Sequence, residues 1–542
     1  MAASDRNRFD YVVVGSGASG AVVAARLSED HDKRVCLIEA GARNTSLLFK
    51  LPGLGFAVGA HPRYNWNFLT EPIPTMADRA LPYLQGRVLG GSSSINGMIY
   101  TRGHSRDYDH WRQLGCEGWS GADVLAYFKK SEDNVRGAGP WHGAGGPLSV
   151  RPAQPGLEIC EAFLAAAGAA GFPVLDDLNC DAAEGFGYYD VNTGNGRRMS
   201  TAEAFLKPAA KRPNLTVLTD TQALGVAIDN GRAVGVDVTS RGNRSRIVAE
   251  RETVLCAGAV KSAHLLMLSG IGPADALRQH GIAVVHDSPN VGAGLQNHAC
   301  YRTQYLCNAP VTASGQAEPL NAVKAGIEYL IRRTGPLAES YATAGGFFRT
   351  DPSLDIADAQ VVLLSALAPT SAGGSRFSIR DLLPQQHGFG LTIYQGSPHS
   401  RGRVSLASAD PLAQPRIAPG YFTDARDMDV LKRAVTMMRA MMQQPAIRRY
   451  IETELLPGEA VQGDAELEAD IRRNGATAYH QCGTCAMGGQ STSVLAPDLK
   501  VRGIDGLRVA DTSIMPRIPN AALHAPTIMI GEKAAALIKA GT

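Results

Sequence analysis

The stretch Asp10–Gly20 reads DYVVVGSGASG. Gly15, Gly17 and Gly20 stand at the spacing G-x-G-x-x-G, with Ala18 and Ser19 between them, and the chemistry this spacing allows is the holding of a pyrophosphate. Gly15 permits a tight turn. Gly17 lets the backbone approach the phosphates, and Gly20 lets a helix pack close on the strand before it, its N-terminus facing the anionic oxygens. Glu39 stands about 20 residues on, as the pattern requires, and can accept a hydrogen bond from a ribose hydroxyl. A second stretch, GRVLGGSSSING at residues 86–97, is again rich in small residues. Such a loop lets the backbone approach a flat ligand and present N–H donors to it.

These residues work only if the surrounding elements hold them. The apolar run Tyr11–Val14 predicts a strand, Ala21–Leu27 a helix and Val35–Ile38 a second strand, a βαβ unit with the glycines at its turn. Residues 41–85, punctuated by five prolines, read as a long irregular excursion. The Gly/Pro cluster at 137–156 reads as a surface connection, and residues 157–171 as a helix. Residues 214–239 alternate like strands, with Asn230-Gly231 as a hairpin turn, and residues 247–256 predict another strand followed by a turn and helix over 257–270. Residues 300–465 differ in character. Strand-like runs at 360–367, 389–395 and 402–407 mix with amphipathic helices at 321–334 and 426–443. Residues 470–542 return to the style of the first part. The expected fold is an α/β (α+β) composite. A discontinuous Rossmann-like dinucleotide domain, formed by residues 6–299 and closed by 466–542, carries a smaller antiparallel-sheet substrate domain covered by helices at 300–465, with part of 157–200.

Composition narrows the partners. The 542 residues carry 53 Lys+Arg against 51 Asp+Glu, a net +2, without a basic block, so nucleic acid is not an expected partner. No run approaches the ~18 apolar residues of a membrane span. The first residues hold no apolar leader run, and nine cysteines read as reduced thiols, so a cytoplasmic setting is expected.

The motifs together resemble the glucose–methanol–choline (GMC) family of flavoprotein oxidoreductases. Residues 11–39 match its opening FAD fingerprint, and Gly86–Tyr100 its first signature. Gly258–Gly272 (GAVKSAHLLMLSGIG) is similar to its second, with Ala263 where Pro or Ser is usual. Gly294–His298 (GLQNH) is similar to its GLQDH, with Asn297 for Asp. Ser400-Arg401-Gly402 and Asp410-Pro411 resemble the stretch that opens its C-terminal part. The resemblance implies FAD, held by the glycines, Ala18, Ser19, Glu39, Trp66, Arg87, Ser92, Asn96, the backbone of Ala223, Asp511 and Thr527. Gly91 and Gly97 belong to the same loop. Trp66 could equally be core. The loop Gly90–Gly97 lacks the histidine that some relatives join to flavin, so FAD is expected to be non-covalent.

It also implies the chemistry. His480, in His-x-x-Gly-Thr-Cys, falls on the family's near-invariant histidine, and His524, in His-Ala-Pro-Thr, on a partner position that is Asn or His. Oxidising an alcohol requires the hydroxyl proton to leave as hydride leaves carbon for flavin N5. A neutral imidazole, with ordinary pKa ~6.5, suits that abstraction, and a second His or Asn can hold the hydroxyl oxygen. Cys482-x-x-Cys485 lacks the further ligands of a zinc site, so no metal is expected. The expected activity is oxidation of a CH–OH group, a primary alcohol or polyol, to the aldehyde or ketone, with O2 or another acceptor taking the electrons. The alternatives are a hydroxynitrile lyase-like flavoprotein, a non-catalytic flavoprotein and a nicotinamide-dependent dehydrogenase.

Overall fold

The run Tyr11–Val14 lies inside strand β1 (Arg8–Val14), with Val12 and Val13 fully buried, and a continuous apolar run of this kind suits a strand covered on both faces. The structure is a computed structural model that describes residues 7–59, 61–180, 184–314, 319–367 and 386–541. The expected region 300–465 lies in part outside the described residues. Helix α1 (Gly20–Leu27) crosses to β2 (Val35–Ile38), parallel to β1. The strands β3 (Leu215–Leu218), β4 (Thr221–Asp229), β5 (Arg232–Ser240) and β6 (Asn243–Leu255) complete a sheet of order β3-β2-β1-β6-β5-β4, and Leu507–Val509 pairs β6 in parallel as its seventh strand. Residues from both ends of the chain therefore share one sheet.

Local chemistry explains the turns. Asn230 (φ 48°) and Gly231 (φ 77°) are both left-handed, the conformation that a two-residue hairpin matching strand twist requires. A second such turn, Arg241 (φ 50°) and Gly242 (φ 84°), starts β6 at Asn243 rather than at the expected 247. The polar segment Asn243–Arg246 hides that extension, because it pairs with β5 on an exposed part of the sheet. The cluster at 137–156, expected as a connection, contains a strand at Leu148–Pro152.

The second sheet is antiparallel. It is built from Gly185–Tyr188, β7 (Ala299–Cys307), β8 (Ala342–Phe348), β9 (Ala359–Leu364), β10 (Gly388–Gln395) and β11 (Ile451–Leu456), in the order β11-β7-β10-β9-β8 with Gly185–Tyr188 at the far edge; Ala476–Thr477 pairs β7. The helices expected at 321–334 and 426–443 are Pro319–Arg332 and Ala425–Met441.

Helix α2 (Gly258–Leu268) follows β6. The last helix, α3 (His524–Ala540), packs on α1. A Cβ on Gly531 would lie 2.8 Å from the Ser19 carbonyl oxygen, and the fully buried Glu532 accepts from Arg26 (2.7 Å) and Ser131 (2.9 Å). The buried carboxylate thus joins the first and last helices.

Gly20 has the tightest approach at the first turn: a Cβ there would meet the Gly15 carbonyl oxygen at 1.9 Å and Cys256 Cβ at 2.9 Å. Gly20→Ala is expected to lower stability by about 1–3 kcal/mol, the cost of overpacking, in urea unfolding followed by circular dichroism. An unchanged midpoint would refute this packing.

Candidate active site

One cavity runs from the glycine turn of β1 to the edge of the second sheet. It is lined by Gly15, Gly17, Ala18, Ser19, Glu39, Trp66, Gly91, Ser92, Asn96, Gly97, Ala223, Asp511, Thr527, His480 and His524. Of the residues anticipated from sequence, Gly20 and Arg87 do not line it. Gly20 sits behind the turn. The Arg87 guanidinium lies over the Trp66 ring at 4.9 Å.

The two glycine loops are packed on one another. A Cβ on Gly91 (φ 52°) would lie 2.7 Å from Gly17 Cα, and the Gly90 N–H donates to Ser16 Oγ at 3.1 Å. Gly17 faces the open side: a Cβ there would come no nearer than 4.0 Å to Cys256 O. The space beside its bare Cα is cavity, the shape a pyrophosphate needs. Ser16 donates to Glu39 Oε2 through N–H (3.1 Å) and hydroxyl (2.6 Å), and the Gly41 N–H donates to Oε1 at 2.7 Å. A carboxylate has about four acceptor sites, so one remains for a ribose hydroxyl. Burial pushes the Glu39 pKa up against these bonds.

Asp511 accepts from the Gly258 N–H (2.8 Å), the Ser262 hydroxyl (2.6 Å) and the Ser513 N–H (2.8 Å), tying α2 to the turn after Leu507–Val509. Burial raises its pKa. Lys261, which also lines the cavity, is pushed down to about 8 by burial and by Arg87, and its Nζ lies 4.9 Å from the Trp66 ring centroid. Asn96 Oδ1 accepts from Nη1 of Arg198 at 2.7 Å. Arg198 is almost wholly buried, and burial lowers its pKa to about 9.

At the other end of the cavity lie the two histidines. His480 follows Tyr479, whose φ is 63°. Its N–H donates to Asn297 Oδ1 at 2.8 Å. Asn297 Nδ2 in turn lies 2.9 Å from the Tyr83 hydroxyl, 2.7 Å from that of Tyr421 and 2.8 Å from Thr477 Oγ1. The side chain joins a chain of groups: His298 Nε2 is 3.0 Å from the Gly396 carbonyl oxygen, and His298 Nδ1 is 2.9 Å from His480 Nδ1. A carbonyl oxygen only accepts, so His298 carries its proton on Nε2. Burial holds the His298 pKa well below its ordinary value, with His480 adding to the effect, so the ring is neutral and its Nδ1 accepts. His480 therefore donates from Nδ1 and keeps a bare Nε2. Burial lowers the His480 pKa to about 4, below the ordinary imidazole value anticipated from sequence. His524, at the start of α3, is also lowered to about 4 by burial and by Arg198, and its Nε2 is buried without a hydrogen-bond partner.

Cys482 and Cys485 are fully buried thiols whose pKa burial raises. Their backbone pins the His480 segment: Cys482 N–H donates to Gln296 O at 3.0 Å and Cys485 N–H to Ser513 O at 2.9 Å.

Sequence reasoning passed over His298, Arg198, Lys261 and Arg302, all close to this cavity. His298 stands inside the GLQNH motif, whose glutamine–asparagine–histidine run was a usable signal. Lys261 stands inside the Gly258–Gly272 stretch, whereas Arg198 and Arg302 carry no local pattern.

A glycine-turn nucleotide sheet joined to an antiparallel sheet, with buried neutral imidazoles at the far end of one cavity, defines a flavoprotein oxidoreductase. Two sequence families, each described as GMC oxidoreductase, match residues 9–300 and 398–531. The chain is 39% identical over 528 residues to an oxygen-dependent choline dehydrogenase of Brucella anthropi, covering 97% of this chain and 94% of that one, and 39% identical over 529 residues to that of Sinorhizobium fredii. Among solved structures it is similar to pyridoxine 4-oxidase from Mesorbium loti (TM-score 0.87, 31% identity, 97% of this chain and 98% of that one). It is also similar to a formate oxidase (TM-score 0.91, 25% identity, 99% and 98%). The chain belongs to the GMC oxidoreductase family, and it is an FAD-dependent oxidoreductase acting on CH–OH donors. Among the described residues no helix is long and apolar enough to cross a membrane.

Gly17→Val is expected to fold, because a Cβ there would meet nothing of the protein nearer than 4.0 Å, and to lose FAD, because its branches fill the phosphate space. Purified variant with a wild-type melting curve and full flavin absorbance would contradict the assignment of this turn.

Proposed function

We propose that this enzyme oxidises a primary alcohol to the aldehyde, with His480 Nε2 taking the hydroxyl proton and His524 holding the hydroxyl oxygen. The observation that carries the reading is the order of protons along Gly396, His298 and His480. It leaves a bare nitrogen on the histidine that lines the cavity. His524 Nε2, buried and unpartnered, can donate as N–H to the same oxygen and fix the geometry of approach. Bound FAD supplies the hydride acceptor. Gly15, Gly17, Ala18, Ser19, Gly91, Ser92 and Gly97 would hold it by backbone and hydroxyl donors, Glu39 through the ribose, and Ala223, Asp511, Asn96, Trp66 and Thr527 along its length. Gly20 supports this set by packing the turn, and Arg87 by packing on the Trp66 ring. The cofactor is non-covalent in this reading: the cavity-lining histidines among the described residues are the two assigned to catalysis.

Residues 6–299 and 466–542 serve the cofactor and carry the histidines, and residues 300–465 form the substrate side. Oxygen or another electron acceptor ends turnover. Nine cysteines, all unpaired, support a cytoplasmic setting. An anaerobic panel of alcohols, watched by flavin absorbance, tests the activity: bleaching supports it, and a flavin inert to every alcohol refutes it.

His480→Ala is expected to keep FAD and slow flavin reduction by about 10²–10⁴-fold. His524→Asn should retain substantial activity, because an amide also donates a hydrogen bond, whereas His480→Asn should not, because an amide takes no proton near neutrality. The reverse pattern would exchange the two roles.

The pH profile follows from the shift at His480. Protonation of Nε2 removes the base, so the reduction rate falls as pH drops through the folded pKa. With that value at about 4, the rate should stay level from about pH 9 to 6 and fall only in stronger acid. A limb centred near the ordinary ~6.5 would refute the assignment.

A further inference from the structure

The substrate side of the cavity carries one full charge whose partner the described residues do not supply. Strand β7 turns Cys300 and Arg302 to the same face. The register sets Cys300 opposite Tyr394 and Arg302 opposite Thr392, with Thr392 opposite Val362 on the next strand, and all five line the cavity. Arg302 thus stands three residues beyond Ala299, the start of the strand that follows His298.

The other charged lining residues are Glu39, Asp511 and Lys261. All three belong to the nucleotide half. The two carboxylates already accept three hydrogen bonds each from their own surroundings. Neither is a counter-charge for Arg302. The Arg302 Nε is buried with no hydrogen-bond partner, and among the described residues the guanidinium forms no ion pair. Arg302 as a whole is only partly buried; its guanidinium does not give up its proton, and it lines the cavity with donors free for a ligand. Its planar fork of donors fits one ligand class best, an oxyanion with two coplanar oxygens. A quaternary ammonium group would meet a like charge instead.

We propose that Arg302 binds a carboxylate on the alcohol, so that the preferred substrates are hydroxymethyl compounds bearing an anionic group rather than cationic alcohols. The proposal rests on the alcohol-oxidising reading above. The carboxylate anchors on β7, and the hydroxymethyl group reaches toward His480 and His524, which line the same space. The ring or chain between them lies against Val362, Leu364 and Tyr394. The anchor takes no part in proton or hydride transfer. It sets which alcohol is held.

FAD-loaded wild type and Arg302→Met test this with three matched alcohols: 4-(hydroxymethyl)benzoate, 4-methylbenzyl alcohol and 4-(hydroxymethyl)-N,N,N-trimethylanilinium. Choline is included as a small cation. Anaerobic flavin reduction is measured for each. Binding is read separately by titrating 4-methylbenzoate, which has no hydroxyl, against flavin absorbance. In wild type the carboxylate should exceed the neutral alcohol in reduction rate over Kd by at least about tenfold, the scale of a charge-assisted pair. In Arg302→Met that ratio should collapse, and the Kd of 4-methylbenzoate should rise at least about tenfold. Arg302→Lys should recover part of both, since it restores charge without the fork. A wild-type preference for choline or for the neutral alcohol, or a carboxylate affinity that Arg302→Met does not change, would overturn the proposal. Should no alcohol reduce the flavin, the oxidation reading fails, while the 4-methylbenzoate titration still decides whether Arg302 binds a carboxylate.

Discussion

Two neutral imidazoles can share a hydrogen bond in only one sense at a time, and here the Gly396 carbonyl chooses the sense. It demands a proton on His298 Nε2, which makes His298 Nδ1 an acceptor, which places the His480 proton on Nδ1. Much of the local architecture keeps that order intact. A Cβ on Gly396 would lie 2.2 Å from Asn520 Cγ, so only glycine lets its carbonyl sit there. Tyr394 stacks on His298 with centroids 5.1 Å apart and meets His480 edge-on. Asn297 fixes the backbone of His480 through one oxygen and gathers two tyrosines and a threonine through one nitrogen. Burial matters as much as geometry. By depressing the pKa of both rings it prevents a second proton from entering the chain and reversing it.

The cavity divides its charges by task. At the nucleotide end, Glu39 and Asp511 spend most of their acceptor capacity on the protein, which makes the cradle rigid before any ligand arrives. At the reacting end the groups are neutral imidazoles, hydroxyls and aromatic faces, with Arg302 set apart on β7. A site arranged in this way gains little from rearranging dipoles during reaction, because they are already placed.

The sequence made local patterns legible and left spatial ones hidden. The βαβ turn could be read because strand, glycines, helix and acid follow one another within a few dozen residues. The Asn230-Gly231 hairpin could be read because that dipeptide tolerates left-handed φ. The early start of β6 could not, since Arg241-Gly242 is a less conspicuous turn and Asn243–Arg246 looks like loop. His480 and His524 were visible through their motifs. The lowered pKa of both was not, because it arises from burial by segments far apart in the chain. The role of His298 was hidden for the same reason: residues 298, 396 and 480 meet only when the second sheet has formed. The packing of the Arg87 guanidinium over the Trp66 ring was hidden too, because the two residues lie 21 positions apart and carry no pattern that pairs them.

The shared sheet and the Arg26–Glu532 contact have a consequence for biosynthesis. The glycine turn is synthesised long before the strand Leu507–Val509 that completes its sheet and the helix that packs on α1. Until they arrive, Arg26 lacks the buried carboxylate it pairs with and the cavity lacks both imidazoles that line it. The nucleotide sheet therefore gains its seventh strand, and Arg26 its carboxylate, only once the segment carrying both has been synthesised.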